Sequence, residues 1–114
     1  MRSESDPVVV YMREACSVPP MTGDEETELS EHVLANDQDA ELAGRRLIEA
    51  SLANVVSIAE TYGDRGVHVL DLIQKGNDAL LVALETFRRN RAKRFSTHAT
   101  ECVTRAIENA IARS

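Results

Sequence analysis

The sequence predicts an all-α protein, a compact bundle of about five helices. Three observations point there. Apolar residues recur at three- and four-residue spacing over long stretches, and no segment alternates as a half-buried strand does. Helix start and stop signals punctuate those stretches. The connections between them are short, as in a bundle of sequential neighbours.

The elements follow in order. Asp6-Pro7 sets an N-cap residue before a proline at a first helical position, and "PVVVYMREAC" runs from there to "SVPP". Thr22 and Glu25 have capping-box spacing, opening a second helix through Leu29, Val33 and Leu34 to about Asn36. A third, longer helix spans about Gln38 to Tyr62. Its apolar stripe is Ile48, Leu52, Val55, Ala59 and Tyr62, and Gly63 ends it. The fourth covers about Val69 to Phe87, with Leu72, Ile73, Leu80, Leu81 and Leu84 as expected core. Gly76 lies inside it at a cost of about 1 kcal/mol against alanine, which tertiary contacts must offset. After the linker "RRNRAKRF", Ser96 or Thr97 can cap the fifth helix. Its stripe is Ala99, Cys102, Val103, Ala106, Ile107, Ala110 and Ile111, with Glu101, Thr104, Arg105, Glu108 and Asn109 opposite.

Length and composition bound the function. A chain of 114 residues is one domain, 1–114, able to bury a core without metal or disulfide support. Hydrophobic content of 43% argues against disorder. The two cysteines, Cys16 and Cys102, are far apart and without a partner motif, which fits a reducing, cytoplasmic setting. No signal peptide or membrane span is expected. His98, Glu101 and Cys102 share a helix face at ligand spacing. A structural zinc wants four ligands, and His32 and His68 are distant in sequence, so no metal is expected. There is no nucleophile elbow, Gly-rich phosphate loop or paired-carboxylate arrangement, so neither catalysis nor a cofactor is expected.

Charge is divided. Residues 1–64 carry 14 acidic and 4 basic side chains, whereas residues 65–114 carry 5 acidic and 9 basic ones. Arg88, Arg89, Arg91, Lys93 and Arg94 fall within seven positions. Such a pole on an acidic protein fits a localised anionic partner, though an isolated run also fits a solvated loop.

Two stretches carry a resemblance. "RRLIEASLANVVSIAETYGDRGVHVLDLIQKGNDALLVALETF", continued by "KRFSTHAT", resembles the second conserved region of bacterial sigma factors of the sigma-70 family. "DPVVVYMREACSVPPMTGDEETELSEHV" resembles the short region 1.2 that precedes it. The chain thus divides at about 6–36 (region 1.2-like) and about 37–112 (region 2-like).

The resemblance implies a helical domain that binds core RNA polymerase through the β′ clamp helices and engages the promoter −10 element. It puts Asp71, Leu72, Ile73, Gln74 and Asn77 on the polymerase-docking helix. It puts Phe87, Arg91, Phe95, Ser96 and Thr97 on the DNA-facing segment, with Arg88, Arg89, Lys93 and Arg94 as phosphate contacts and the two rings free to stack on a base. An anti-sigma factor is a further partner that it admits.

The departures from the family are local. Lys75 stands where an acidic residue is usual. Lys93 and His98 stand at tyrosine positions, and Glu101 and Cys102 at a tryptophan pair. Thr104 and Arg105 replace a basic and an amide residue used near the upstream end of the −10 element. Extruding a base costs a few kcal/mol, and aromatic stacking returns ~1–3 kcal/mol per base. A carboxylate cannot stack and repels phosphate. Three functions follow: a sigma domain that binds polymerase and −10 DNA, a sigma-derived regulator that occupies the clamp without melting DNA, or a helical interaction domain without either activity.

Overall fold

The computed structural model describes residues 10, 13–15, 17–63, 65–89 and 93–113, and among these, after an upstream helical segment at residues 10 and 13–15, four helices run in order with both ends described. They are α1 (Gly23–Ala35), α2 (Ala40–Thr61), α3 (Val69–Arg89) and α4 (Phe95–Ala112). No strand occurs among the described residues, so the expected all-α class holds. The start of the first expected helix, Asp6-Pro7, and its end at Cys16 lie outside the described residues; Val10 and residues 13–15 are helical. Among the described residues, no helix is long and apolar enough to cross a membrane.

α1 begins as its sequence dictates. The Glu25 N–H donates to Thr22 Oγ1 at 3.1 Å, and the Thr22 N–H reaches Glu25 Oε1 at 3.4 Å. Two orphan donors of the first turn are thereby satisfied. Asn36 closes the helix at φ 51°, ψ 41°, a left-handed conformation that asparagine tolerates, and its N–H donates to the Val33 carbonyl.

Just beyond, His32 Nδ1 and Asp37 Oδ2 lie 2.6 Å apart. That bond holds the His32 pKa above its ordinary 6.5 and the Asp37 pKa below its ordinary 3.8. A raised histidine contributes stability that is fully present below about pH 6.5 and lost as pH rises through the raised value. The depressed aspartate contributes stability that is lost as pH falls below 3.8 through its lowered value. Thermal melts should therefore show a small fall in Tm as pH climbs above 6.5. His32→Gln should remove that slope. A pH profile identical in the variant would show that the pair contributes nothing.

α2 buries a wider face than its expected stripe. Ala43, Gly44, Leu47, Val55, Val56 and Ala59 are buried, while Ile48, Leu52 and Tyr62 flank the core half-covered. The helix packs against α1, α3 and α4, so small residues on several sides are enclosed that a stripe of large residues does not mark. Gly63 follows the helix, its N–H donating to the Glu60 carbonyl at 3.1 Å. It does not take the left-handed conformation; Gly66 does, at φ 89°.

The longest seam is α3 on α4. α3 buries Leu72, Ile73, Leu80, Ala83, Leu84 and Phe87, but Leu81 is 59% exposed and belongs to the surface with Val82. Leu80 and Leu84 fill the buried row, and one residue further round the helix turns Leu81 outward. Gly76 lets α3 approach both neighbours. A Cβ there would meet Val55 Cγ1 at 2.6 Å and Val103 Cγ1 at 3.3 Å. The expected tertiary contacts are therefore a close approach of the α3 backbone to buried side chains of α2 and α4, which alanine could enter only by displacing them.

α4 buries Phe95, Ala99, Val103 and Ile107, one residue every four, with Cys102, Ala106, Ala110 and Ile111 packed beside them. Its start differs from expectation. Arg94 is the N-cap, its side chain making no capping bond to the helix start, and Ser96 and Thr97 lie inside the first turn. The acceptor at this helix start comes from α1. Glu26 Oε2 accepts from the Ser96 N–H at 3.3 Å and from Ser96 Oγ at 3.2 Å. A carboxylate there complements the positive end of the helix dipole.

Candidate nucleic-acid interface

The basic linker joins α3 to α4, and both of its ends are pinned to the core. Phe87 is 1% exposed and Phe95 is fully buried. Their rings meet edge to face, with centroids 5.5 Å apart and an interplanar angle of 78°. Each buried ring contributes about 2–3 kcal/mol from area alone. The expectation that these two rings are free to stack on a base is thus corrected: they anchor the linker and are enclosed by the bundle.

The cations are in unequal states. Arg91 lies outside the described residues. Arg88 pairs with Glu85 at 3.4 Å on the surface, and Arg89 is exposed in the last turn of α3. Lys93 Nζ contacts Glu101 Oε2 at 2.7 Å. Arg94 is tied to α1 at the surface, its Nε donating to Glu26 Oε2 at 3.2 Å and its Nη2 to the Gly23 carbonyl at 2.9 Å. Ser96 is held by the same carboxylate. Arg94 and Ser96, expected on DNA, are thus engaged by the protein itself. Thr97 and Arg105 are exposed.

Four positions at which the resemblance implies aromatic residues converge. Lys93, His98, Glu101 and Cys102 line one cavity of about 290 Å³, closed by Thr86, Phe87 and Arg105. Inside it the side chains satisfy one another. Thr86 Oγ1 and His98 Nε2 lie 2.6 Å apart, and Cys102 Sγ lies 3.8 Å from the same nitrogen. The hydrogen bond from Lys93 holds the Glu101 carboxyl below its ordinary range, helped by the charges of Lys93, His98 and Arg105. Glu108, on the same helix, accepts from Tyr62 Oη at 3.0 Å. Both carboxylates of the polar face are therefore turned to protein partners. Chemically, the cavity is an internally paired niche in which the one partly exposed ring, the His98 imidazole, is engaged with Thr86.

A second surface lies on α3. Asp71, Gln74 and Lys75 are exposed and line a groove of about 650 Å³ against Ala106, Asn109, Ala110 and Arg113 of the α4 end. Asn77 is half-buried. Leu72 and Ile73, expected as docking residues, are 0% and 2% exposed. They fix the helix and present the polar face, but a partner cannot touch them.

Glu26 was not legible as a site residue. It sits among Asp24 and Glu25 in an acidic first turn, where a carboxylate reads as a solvated complement to the helix dipole. Only the long-range contact with residues 94 and 96 distinguishes it.

Sigma-70 region 2 is the family description that matches, over residues 47–114. The chain belongs to this family. Its region 2 match begins within α2, takes in both the α3 face and the α4 cavity, and leaves α1 outside. Similarity to individual sigma factors reaches further upstream. The chain is 45% identical to the RNA polymerase sigma factor SigA of a Bacillus species over 108 residues, which is 95% of this chain and 28% of that protein. It is 45% identical to SigA of Lactococcus lactis subsp. cremoris over 107 residues, 94% of this chain and 29% of the relative. SigA of Listeria monocytogenes is also 45% identical, over 95% of the chain and 28% of its own length. The chain therefore spans little more than a quarter of the length of these curated relatives.

Proposed function

We propose that this chain is the polymerase-docking and −10-facing part of a sigma factor, acting as a binding module without catalysis in the cytoplasm. Residues of about 6–36 take the place of region 1.2. The observation that carries the reading is the α3 face. Exposed Asp71 and Gln74, with half-buried Asn77, ride on a helix fixed by buried Leu72 and Ile73. The β′ clamp helices of core RNA polymerase are the partner this face fits. Arg88 and Arg89 provide phosphate contacts beside it, with Lys93 and Arg105 lining the cavity and Thr97 exposed on the first turn of α4.

A second reading draws on a specific observation. Lys93 and Glu101, at positions where the resemblance implies aromatic rings, pair with each other, and Phe87 and Phe95 are enclosed. That favours a sigma-derived regulator that holds polymerase and melts the −10 element poorly.

Core binding tests the common part. Asp71→Ala with Gln74→Ala should weaken affinity for core polymerase by more than ~1 kcal/mol if these groups make desolvated polar contacts. Unchanged affinity with the fold intact by circular dichroism would remove the docking assignment. If the partner surface is basic, as the family's acidic preference implies, Lys75→Glu should tighten binding. A strand-opening assay on the bound complex then separates the two readings.

A further inference from the structure

We propose that Glu26 is a positioning residue for nucleic-acid binding: by taking up Arg94 and Ser96 it sets the start of α4 and withholds one cation from the phosphate backbone. The inference rests on the proposed role of the basic linker and goes beyond it, because the controlling group lies on α1, outside the matched family region.

The geometry is concentrated on one oxygen. Glu26 Oε2 receives Arg94 Nε, the Ser96 N–H and Ser96 Oγ, all within 3.3 Å. The side chain of Glu26 is only 9% exposed, so its charge is shielded from water and needs these partners. Arg94 is further held by the Gly23 carbonyl at 2.9 Å, from the same turn of α1. Two anchors on one helix thus fix the guanidinium in a forked arrangement that lysine could not reproduce. Arg94 keeps about half of its side chain exposed, so solvent and phosphate can reach it once the carboxylate lets go.

Two consequences follow. Where the chain enters α4 is dictated from α1, since Ser96 occupies the first turn and Phe95 beside it is locked in the core. The number of cations free to meet a strand is also set by α1. Any event that moves α1 relative to α4 would release Arg94 and change DNA affinity without touching the cavity.

The test is a double-mutant cycle on the full chain with single-stranded oligothymidine as the probe. The readout is the slope of log K against log salt, which changes by about 0.7 for each phosphate contact on a single strand. Glu26→Gln keeps an acceptor but loses the charge that retains Arg94. The slope should steepen by about 0.7. Arg94→Ala alone should leave the slope of the unaltered chain as it was, and Arg94→Ala in the Glu26→Gln background should return it there. A purely structural role would lower the melting temperature and leave all four slopes equal, which would overturn the inference. If Glu26→Gln does not fold, Glu26→Asp, whose shorter side chain cannot hold Arg94 at the same place, takes its part: a steeper slope supports the withheld cation, and an unchanged one overturns it. Absence of binding by the unaltered chain at low salt would overturn the nucleic-acid reading and this inference together. Normal binding with an unresponsive Glu26→Gln would overturn this inference only.

Discussion

Joined to core polymerase, a Lys93→Tyr, His98→Tyr, Glu101→Trp triple variant should open a consensus −10 promoter far better than the unaltered chain. Two added stacking contacts at ~1–3 kcal/mol each correspond to an increase of tens to tens of thousands of fold in the open-complex constant. Permanganate reactivity of unpaired thymines reads it directly. The three positions face one cavity of about 290 Å³, so the restored rings would adjoin one another. The change also removes the Lys93–Glu101 pair, whose side chains are 44% and 48% exposed. A pair that open to water contributes little to stability, so the fold should survive. Removing Glu101 additionally lifts a carboxylate from the path of phosphate. Cys102→Trp is best added last. Cys102 is half-buried on the core side of the cavity, packed against the cluster, and an indole there risks overpacking. If the unaltered chain already opens the promoter as well as a housekeeping sigma domain, the paired cavity is not the obstacle argued here.

That prediction joins what the sequence displays to what only the fold displays. The identities at positions 93, 98, 101 and 102 are visible in the string, and the resemblance singles those positions out. Their mutual satisfaction could not be read there. Thr86 is twelve residues from His98, and nothing local says that the two bond at 2.6 Å. Helix existence was legible because α3 and α4 have strong apolar periodicity with polar faces opposite. The Thr22–Glu25 capping box was legible because its chemistry lies within four residues. The failures are long-range. Leu81 has the same side chain as Leu80, and only the exact disposition of α2 and α4 around α3 decides which of the two is covered. Phe87 and Phe95 read as rings beside a basic linker, where base stacking is chemically reasonable. Their edge-to-face contact across that linker turns them into core. Glu26 is the extreme case, an ordinary acidic residue given a role by partners about seventy positions away.

Gly76→Ala should be among the most destabilising small substitutions in the chain, against its helix propensity. In an isolated helix alanine would gain about 1 kcal/mol over glycine. Here a Cβ would stand 2.6 Å from Val55 Cγ1 of α2, 3.3 Å from Val103 Cγ1 and 3.6 Å from Ile107 Cδ1 of α4. None of the three can easily yield. Val55 and Ile107 are fully buried and Val103 nearly so, and β-branched side chains have few alternative rotamers in a helix. The helices must separate or Val55 must leave its rotamer, so the net cost is about 1–3 kcal/mol. That corresponds to a fall in Tm on the order of 5–10 °C. Val55→Ala removes the nearest obstructing carbon. It should cost stability alone by leaving a cavity, yet the Val55→Ala, Gly76→Ala double variant should be more stable than the two single effects predict together. Calorimetric melting of the four proteins checks this, and a Gly76→Ala chain melting at or above the parent would refute the close-approach argument. The consequence reaches the proposed docking face. Gly76 sits directly between exposed Lys75 and half-buried Asn77, one turn from Asp71. Pushing α3 away from α2 and α4 moves that face relative to the α4 end with which Asp71, Gln74 and Lys75 share a groove. Core-polymerase affinity should therefore fall in Gly76→Ala and recover in the double variant, even though neither altered side chain can touch the partner.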